Sequence, residues 1–96
     1  MATIDIRRPH NLGLETARSR AEDLAKELAT KLGIRWSWHG DTIEFQGDSG
    51  PVKGVKGRVD VSTIDVHVAI DLPLLLRAMK GTIATKVEGK LDKLVA

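Results

Sequence analysis

The three histidines, His10, His39 and His67, are the side chains of this sequence best suited to moving protons or binding metal near neutral pH. None stands in an H-x-x-x-H or comparable spacing, and there is no cysteine to complete a ligand set. His39 and His67 fall on the outward parity of the strands that carry them, where a solvent-facing role is the plain reading. His10 closes the run Arg7-Arg8-Pro9-His10. Two cations beside an imidazole suit an anionic group, whereas the plain role is that of a polar turn residue. Arg7 and His10 are therefore candidate ligand contacts.

Other groups point less clearly to chemistry. Paired carboxylates carry out general acid–base work in a cleft. The carboxylates here are scattered, and Asp60 and Asp65 approach each other only if a turn at Ser62-Thr63 pairs their strands. Ser19, Ser37, Ser49 and Ser62 lie in no G-x-S-x-G elbow. Gly47-Asp48-Ser49-Gly50 lacks the lysine and helix start of a phosphate-binding loop. No catalytic residue, metal site or cofactor is expected. Trp36 and Trp38 are candidates to line an apolar pocket, and core filling is their plain role in so small a chain. Leu72-Pro73-Leu74-Leu75-Leu76 is too apolar for one helix to turn inward, and Leu74 falls off the stripe. It is a candidate partner contact.

The elements that position these groups follow from periodicity. Ile4 and Ile6 alternate with Asp5 and Arg7 in a half-buried strand that Pro9 ends. Leu14, Ala17, Ala21, Leu24, Leu28 and Leu32 form one stripe of a helix, widened by Ala25 and Ala29. Its other face offers Arg18–Glu22, Glu22–Lys26 and Glu27–Lys31 pairs, and Gly33 supplies a left-handed stop. Ile34, Trp36 and Trp38, then Ile43 and Phe45, alternate on either side of Gly40-Asp41. A type II′ turn there sets Trp38 opposite Ile43 and Trp36 opposite Phe45.

After a loop at Gly47–Pro51, Val55, Val59 and Val61 share a face, with Gly54 and Gly57 weakening the strand. Ile64, Val66, Val68 and Ile70 form the next strand. A turn at Ser62-Thr63 pairs Val61 with Ile64 and Val59 with Val66. It also opposes Asp60 to Asp65, with Arg58 near enough to offset the repulsion. Leu72, Leu75, Leu76, Met79, Ile83, Val87, Leu91 and Leu94 form a second helical stripe that begins at Pro73, and Gly81 bends or splits it.

The expected fold is therefore a single α+β domain over 1–96, ordered β-α-β-β-β-β-α. Its five-stranded antiparallel sheet is closed by pairing the first strand with the last. Two helices cover one face in a helix-grip-like arrangement. Folds of that type often hold an apolar ligand between sheet and helix, which gives Trp36 and Trp38 their second reading.

Composition narrows the function classes. The chain has 96 residues, enough for one modest core, and no cysteine for a disulfide, as expected of a reducing compartment such as the cytoplasm. The start, MATIDIRRPH, has no apolar run of the signal-peptide kind, and no stretch is long enough to span a membrane. Net charge is +2, unevenly placed. Residues 1–73 carry 10 Lys/Arg against 11 Asp/Glu, and residues 74–96 carry 5 against 2, so the tail is the basic part. A nucleic-acid-binding sheet would expose aromatics among cations. Here the aromatics share the core parity and acids punctuate the outward positions, so no nucleic acid is expected.

Several segments carry a family resemblance. They are Ile4-Asp5-Ile6-Arg7-Arg8-Pro9-His10 with Leu12-Gly13 and Ala17-Arg18, and Trp36 with Gly40-Asp41-Thr42-Ile43. Gly57-Arg58-Val59-Asp60-Val61 and Leu76-Arg77-Ala78-Met79-Lys80-Gly81-Thr82-Ile83 complete the set. Together they resemble the polyhydroxyalkanoic acid system proteins, short bacterial chains usually encoded near polyester-granule genes. Thr82 stands where that pattern has proline, and the Gly47–Gly54 loop is longer. The family's function is inferred largely from gene neighbourhood, so no catalytic residues carry over. The resemblance implies a non-enzymatic accessory role in the polyhydroxyalkanoate system. The implied partner is the granule, a granule-associated protein or a hydrophobic ligand. The alternative is a small carrier of an apolar or acyl molecule, held between the sheet and the C-terminal helix.

Overall fold

The computed structural model describes residues 3–48 and 50–96. Ser49, one of the serines weighed as a nucleophile, lies outside the described residues. Strands β1 (Ile4–Pro9), β2 (Arg35–His39), β3 (Thr42–Gln46), β4 (Lys56–Val61) and β5 (Asp65–Asp71) form one antiparallel sheet of order β1-β5-β4-β3-β2. Helix α1 (Leu14–Leu32) follows β1, while α2 (Leu74–Arg77) and α3 (Lys80–Val95) follow β5. The expected meander and the pairing of the first strand with the last are both present. One sheet face, bearing Ile4, Ile6, Ile43, Val59, Val66 and Val68, is buried under α1 and α3. The other bears Asp5, Arg7, Arg58, Asp60, His67 and their neighbours.

The β2–β3 hairpin has the register that its alternation predicts, Trp38 opposite Ile43 and Trp36 opposite Phe45. Gly40 has φ +64° and, among the described residues, no non-glycine residue has positive φ, the signature of a type II′ turn. Gly57 also has a packing reason. A Cβ there would lie 2.6 Å from Phe45 Cε2, so the ring occupies the space that a side chain would need.

The β4–β5 register differs from the sequence expectation by two residues. Val61 faces Val66, Val59 faces Val68 and Asp60 faces His67. The connection is a Ser62–Asp65 turn rather than a two-residue one. The Ser62 hydroxyl accepts the amides of Ile64 and Asp65 at 3.2 and 3.0 Å. Ser62 N–H donates to the Asp65 carbonyl at 2.9 Å. This side-chain capping closes a wider turn and leaves Ile64 exposed. It also replaces the expected Asp60–Asp65 repulsion with Asp60 facing an imidazole, while Arg58 Nε lies 3.2 Å from Asp60 Oδ2.

Helix α1 ends as predicted, with Gly33 at φ +69° donating its N–H to Ala29 O. Its seam is narrower than the leucine stripe suggested. Ala17, Ala21 and Ala25 are the buried residues, Leu24 flanks them and Leu32 is exposed. Small side chains let the helix approach the sheet closely over β2, β3 and β4, and the leucines pack at the margins. Glu22–Lys26 and Glu27–Lys31 pair as expected, whereas Arg18 turns away from Glu22 toward Asp41.

The C-terminal stripe is not one helix. It breaks at Ala78-Met79, ahead of Gly81, which sits inside the first turn of α3. Leu91 and Leu94 are buried against β1 and α1, and Ile83, Ala84 and Val87 are half-buried. Leu75 and Met79, expected on the inner face, are instead exposed.

Candidate functional site

Each candidate side chain can now be placed. His10 is only 7% exposed. Its Nδ1 accepts the Leu12 amide at 3.1 Å, so that nitrogen carries no proton. Nε2 therefore donates to the Ser62 carbonyl, at 2.8 Å. Both ring nitrogens serve backbone groups, and the ring ties the β1–α1 connection to the β4–β5 turn. Arg7 lies on the opposite, solvent-facing side of the sheet and donates to Asp65 Oδ2 at 2.9 Å. Hydrogen bonding from Ser62, then from Arg7, holds the Asp65 carboxyl below its ordinary value. Arg7 and His10 thus have separate partners and are not brought into one site.

The outer sheet face carries a connected polar layer. His67 Nε2 lies 2.6 Å from Asp5 Oδ1, and its Nδ1 lies 3.5 Å from Asp60 Oδ2. Thr42 donates to Asp60 at 2.6 Å, and His39 Nε2 lies 3.0 Å from Glu44 Oε2. Arg35 pairs with Asp48 at 3.0 Å. These groups mostly satisfy one another along the strands. Among the described residues, no group of three or more His, Asp or Glu side chains is placed to hold a metal ion. An open depression of about 370 Å³ at the β2–β3 end is lined mainly by Arg35, His39, Glu44, Gln46 and Lys56, with Trp36 at its side.

Trp36 and Trp38 are half-buried on the inner face. Trp38 Nε1 donates to Glu22 Oε1 at 3.0 Å, and this bond is the main reason the Glu22 carboxyl sits below its ordinary value. The Arg18 guanidinium lies 4.2 Å from the Trp38 ring centroid. The same guanidinium donates to Gly40 O at 2.9 Å and Asp41 Oδ1 at 2.5 Å. Trp38 is therefore the plate by which α1 holds the hairpin, and its polar edge is already occupied.

The remaining feature is apolar. Leu74, Leu75 and Met79 are 78%, 91% and 51% exposed, on and just after the single turn α2. Leu72, buried, and Leu76, half-buried, anchor that turn from the other side. Leu74 was legible as a candidate because it fell off the stripe. Leu75 and Met79 were missed because the helix break between α2 and α3, at Ala78-Met79, has no strong local signal. The next cations along the same segment are Arg77 at the end of α2 and Lys80 and Lys86 on the first two turns of α3, and they form no ion pair among the described residues. Their signal in the sequence was the basic tail.

Fold and surface together define a small α+β structure built on one five-stranded antiparallel sheet. Its polar groups are largely engaged with one another, and three of the five large apolar side chains exposed among the described residues, Leu74, Leu75 and Met79, follow one another closely at one shoulder, while Leu32 and Ile64 stand apart. The chain belongs to the family described as “Putative polyhydroxyalkanoic acid system protein”, whose model matches residues 4–95. No curated protein and no solved structure matches the chain. No helix among the described residues is long and apolar enough to cross a membrane.

Proposed function

We propose that this chain is a non-enzymatic accessory protein of the polyhydroxyalkanoate system, acting in the cytoplasm and docking on the polyester granule. The family supplies the system. The observation that carries the docking reading is the exposure of Leu74, Leu75 and Met79 on adjoining turns. Scattered exposed apolar residues are ordinary, but large ones clustered on a single short element are the usual mark of an interaction surface. The carrier reading has less support. Ile4, Ile6, Val66, Val68, Leu91 and Leu94 all belong to one buried cluster between the sheet and the helices, where such a ligand would have to sit.

Fractionation of polymer-accumulating cells tests the proposal. The wild-type chain is expected in the granule fraction, and a Leu74→Asp/Leu75→Asp variant in the soluble fraction with its circular dichroism unchanged. Both side chains are exposed, so the variant keeps the fold. A wild-type chain that stays wholly soluble overturns the proposal.

A further inference from the structure

We infer that the α2–α3 shoulder binds an anionic lipid layer, its apolar side chains entering the acyl region and its cations meeting the phosphates. This rests on the docking reading and deepens it by naming the chemistry of what is docked upon. The charge pattern carries the inference. From Leu72 to Val87 there are three cations, Arg77, Lys80 and Lys86, and no acid. The acids that follow are turned elsewhere. Asp92 pairs with Arg8 at 3.1 Å, and Glu88 lies 3.9 Å from the same guanidinium.

Cations elsewhere in the molecule are mostly paired. Arg7, Arg18, Arg35, Arg58, Lys26 and Lys31 each have a carboxylate partner. Those at the shoulder have none among the described residues. Arg77 donates only to the Leu72 carbonyl, at 3.3 Å. An uncharged polyester surface would reward Leu74, Leu75 and Met79 but leave three cations to be desolvated without partners. An anionic lipid surface rewards both sets, because Lys and Arg keep their charge at the headgroup level while their stems lie along apolar neighbours.

The test is sedimentation of the full chain with phosphatidylcholine vesicles made with and without phosphatidylglycerol. Binding is expected only to the anionic vesicles, weakening as salt is raised. Each cation near an anionic surface strengthens partitioning about fivefold, so Lys80→Gln/Lys86→Gln lowers it roughly 25-fold at low salt. Leu75→Asp abolishes it, with Trp fluorescence reporting an intact fold in both variants. Equal binding to neutral and anionic vesicles, or none to either, overturns the inference.

Native granules, and polyester particles stripped of lipid, separate this result from the docking proposal. Binding to native granules without binding to anionic vesicles overturns the lipid inference and leaves granule docking standing. Binding to stripped particles as strong as to native granules overturns it as well. Binding to anionic vesicles without binding to native granules leaves the lipid inference standing and removes the docking proposal.

Discussion

His10 shows how a residue with catalytic potential is spent on architecture. Its imidazole joins two connections far apart in the sequence, accepting from Leu12 N–H and donating to Ser62 C=O. No other single side chain type offers an acceptor and a donor at that spacing on one rigid ring. His10→Ala leaves the Ser62 carbonyl and the Leu12 amide without these partners in a part-buried setting. The expected loss of stability is about 1–3 kcal/mol in urea denaturation. Granule association should be unchanged in the folded variant. A variant as stable as the wild type but unable to reach granules would return His10 to the anion-binding role that its two neighbouring arginines suggested. The sequence placed His10 in the connection between β1 and α1 and gave it the plain role of a polar turn residue, whereas the ring is buried. It could not reveal the ring's partner, because that partner is a backbone carbonyl 52 residues away, and a backbone carbonyl has no sequence signature.

At the scale of elements, what was legible depended on whether backbone or side chain closes the connection. Gly40-Asp41 fixed a two-residue hairpin because glycine supplies the positive φ and alternation supplies the register. Ser62-Thr63 did not, since a hydroxyl capping two amides adds residues to the turn without changing its composition. The same distinction governs the C-terminal segment. Gly81 was the visible candidate for a break, yet the chain leaves helical dihedrals at Met79, with φ −99° and ψ 12°, before α3 begins. Leu72 is buried and Leu76 packs against the core on either side of Pro73, so α2 has its own anchors ahead of the break. Neither Gly81 nor Gly89 is then needed as glycine. A Cβ at either position meets nothing within 4 Å, and neither has positive φ. Gly89→Ala is expected to raise stability by about 0.5–1 kcal/mol, and Gly81→Ala to act in the same direction. Denaturant midpoints check both. A loss of stability at Gly81 would show that the break requires glycine there after all.

Across the whole molecule, α3 is fastened at one end and presented at the other. Its C-terminal half is held by Leu91 and Leu94 in the core, by the Arg8–Asp92 pair and by Lys90, which bonds Glu27 of α1. Its first turns and α2 have only half-buried apolar contacts, and that end displays the exposed Leu74, Leu75 and Met79. Glu27 is the electrostatic tie between the two helices, bonded to Lys90 and, at 2.9 Å, to Lys31 of its own helix. Those hydrogen bonds, Lys90 first, lower its carboxyl from an ordinary value of 4.5 to about 2. In the unfolded chain the same carboxyl takes up its proton near the ordinary value. The tie therefore contributes in full above pH 4.5 and is lost progressively as the pH falls toward 2. Glu27→Gln should lower the urea midpoint at neutral pH and narrow its distance from the wild type through that acid window. Glu22 and Asp65 keep some acid sensitivity in both chains, since their carboxyls are also lowered. The difference between the two titrations isolates Glu27 from them. A constant offset across the window would mean that the charge of Glu27 contributes nothing to fastening α3, which would then be held by Leu91, Leu94 and the Arg8–Asp92 pair.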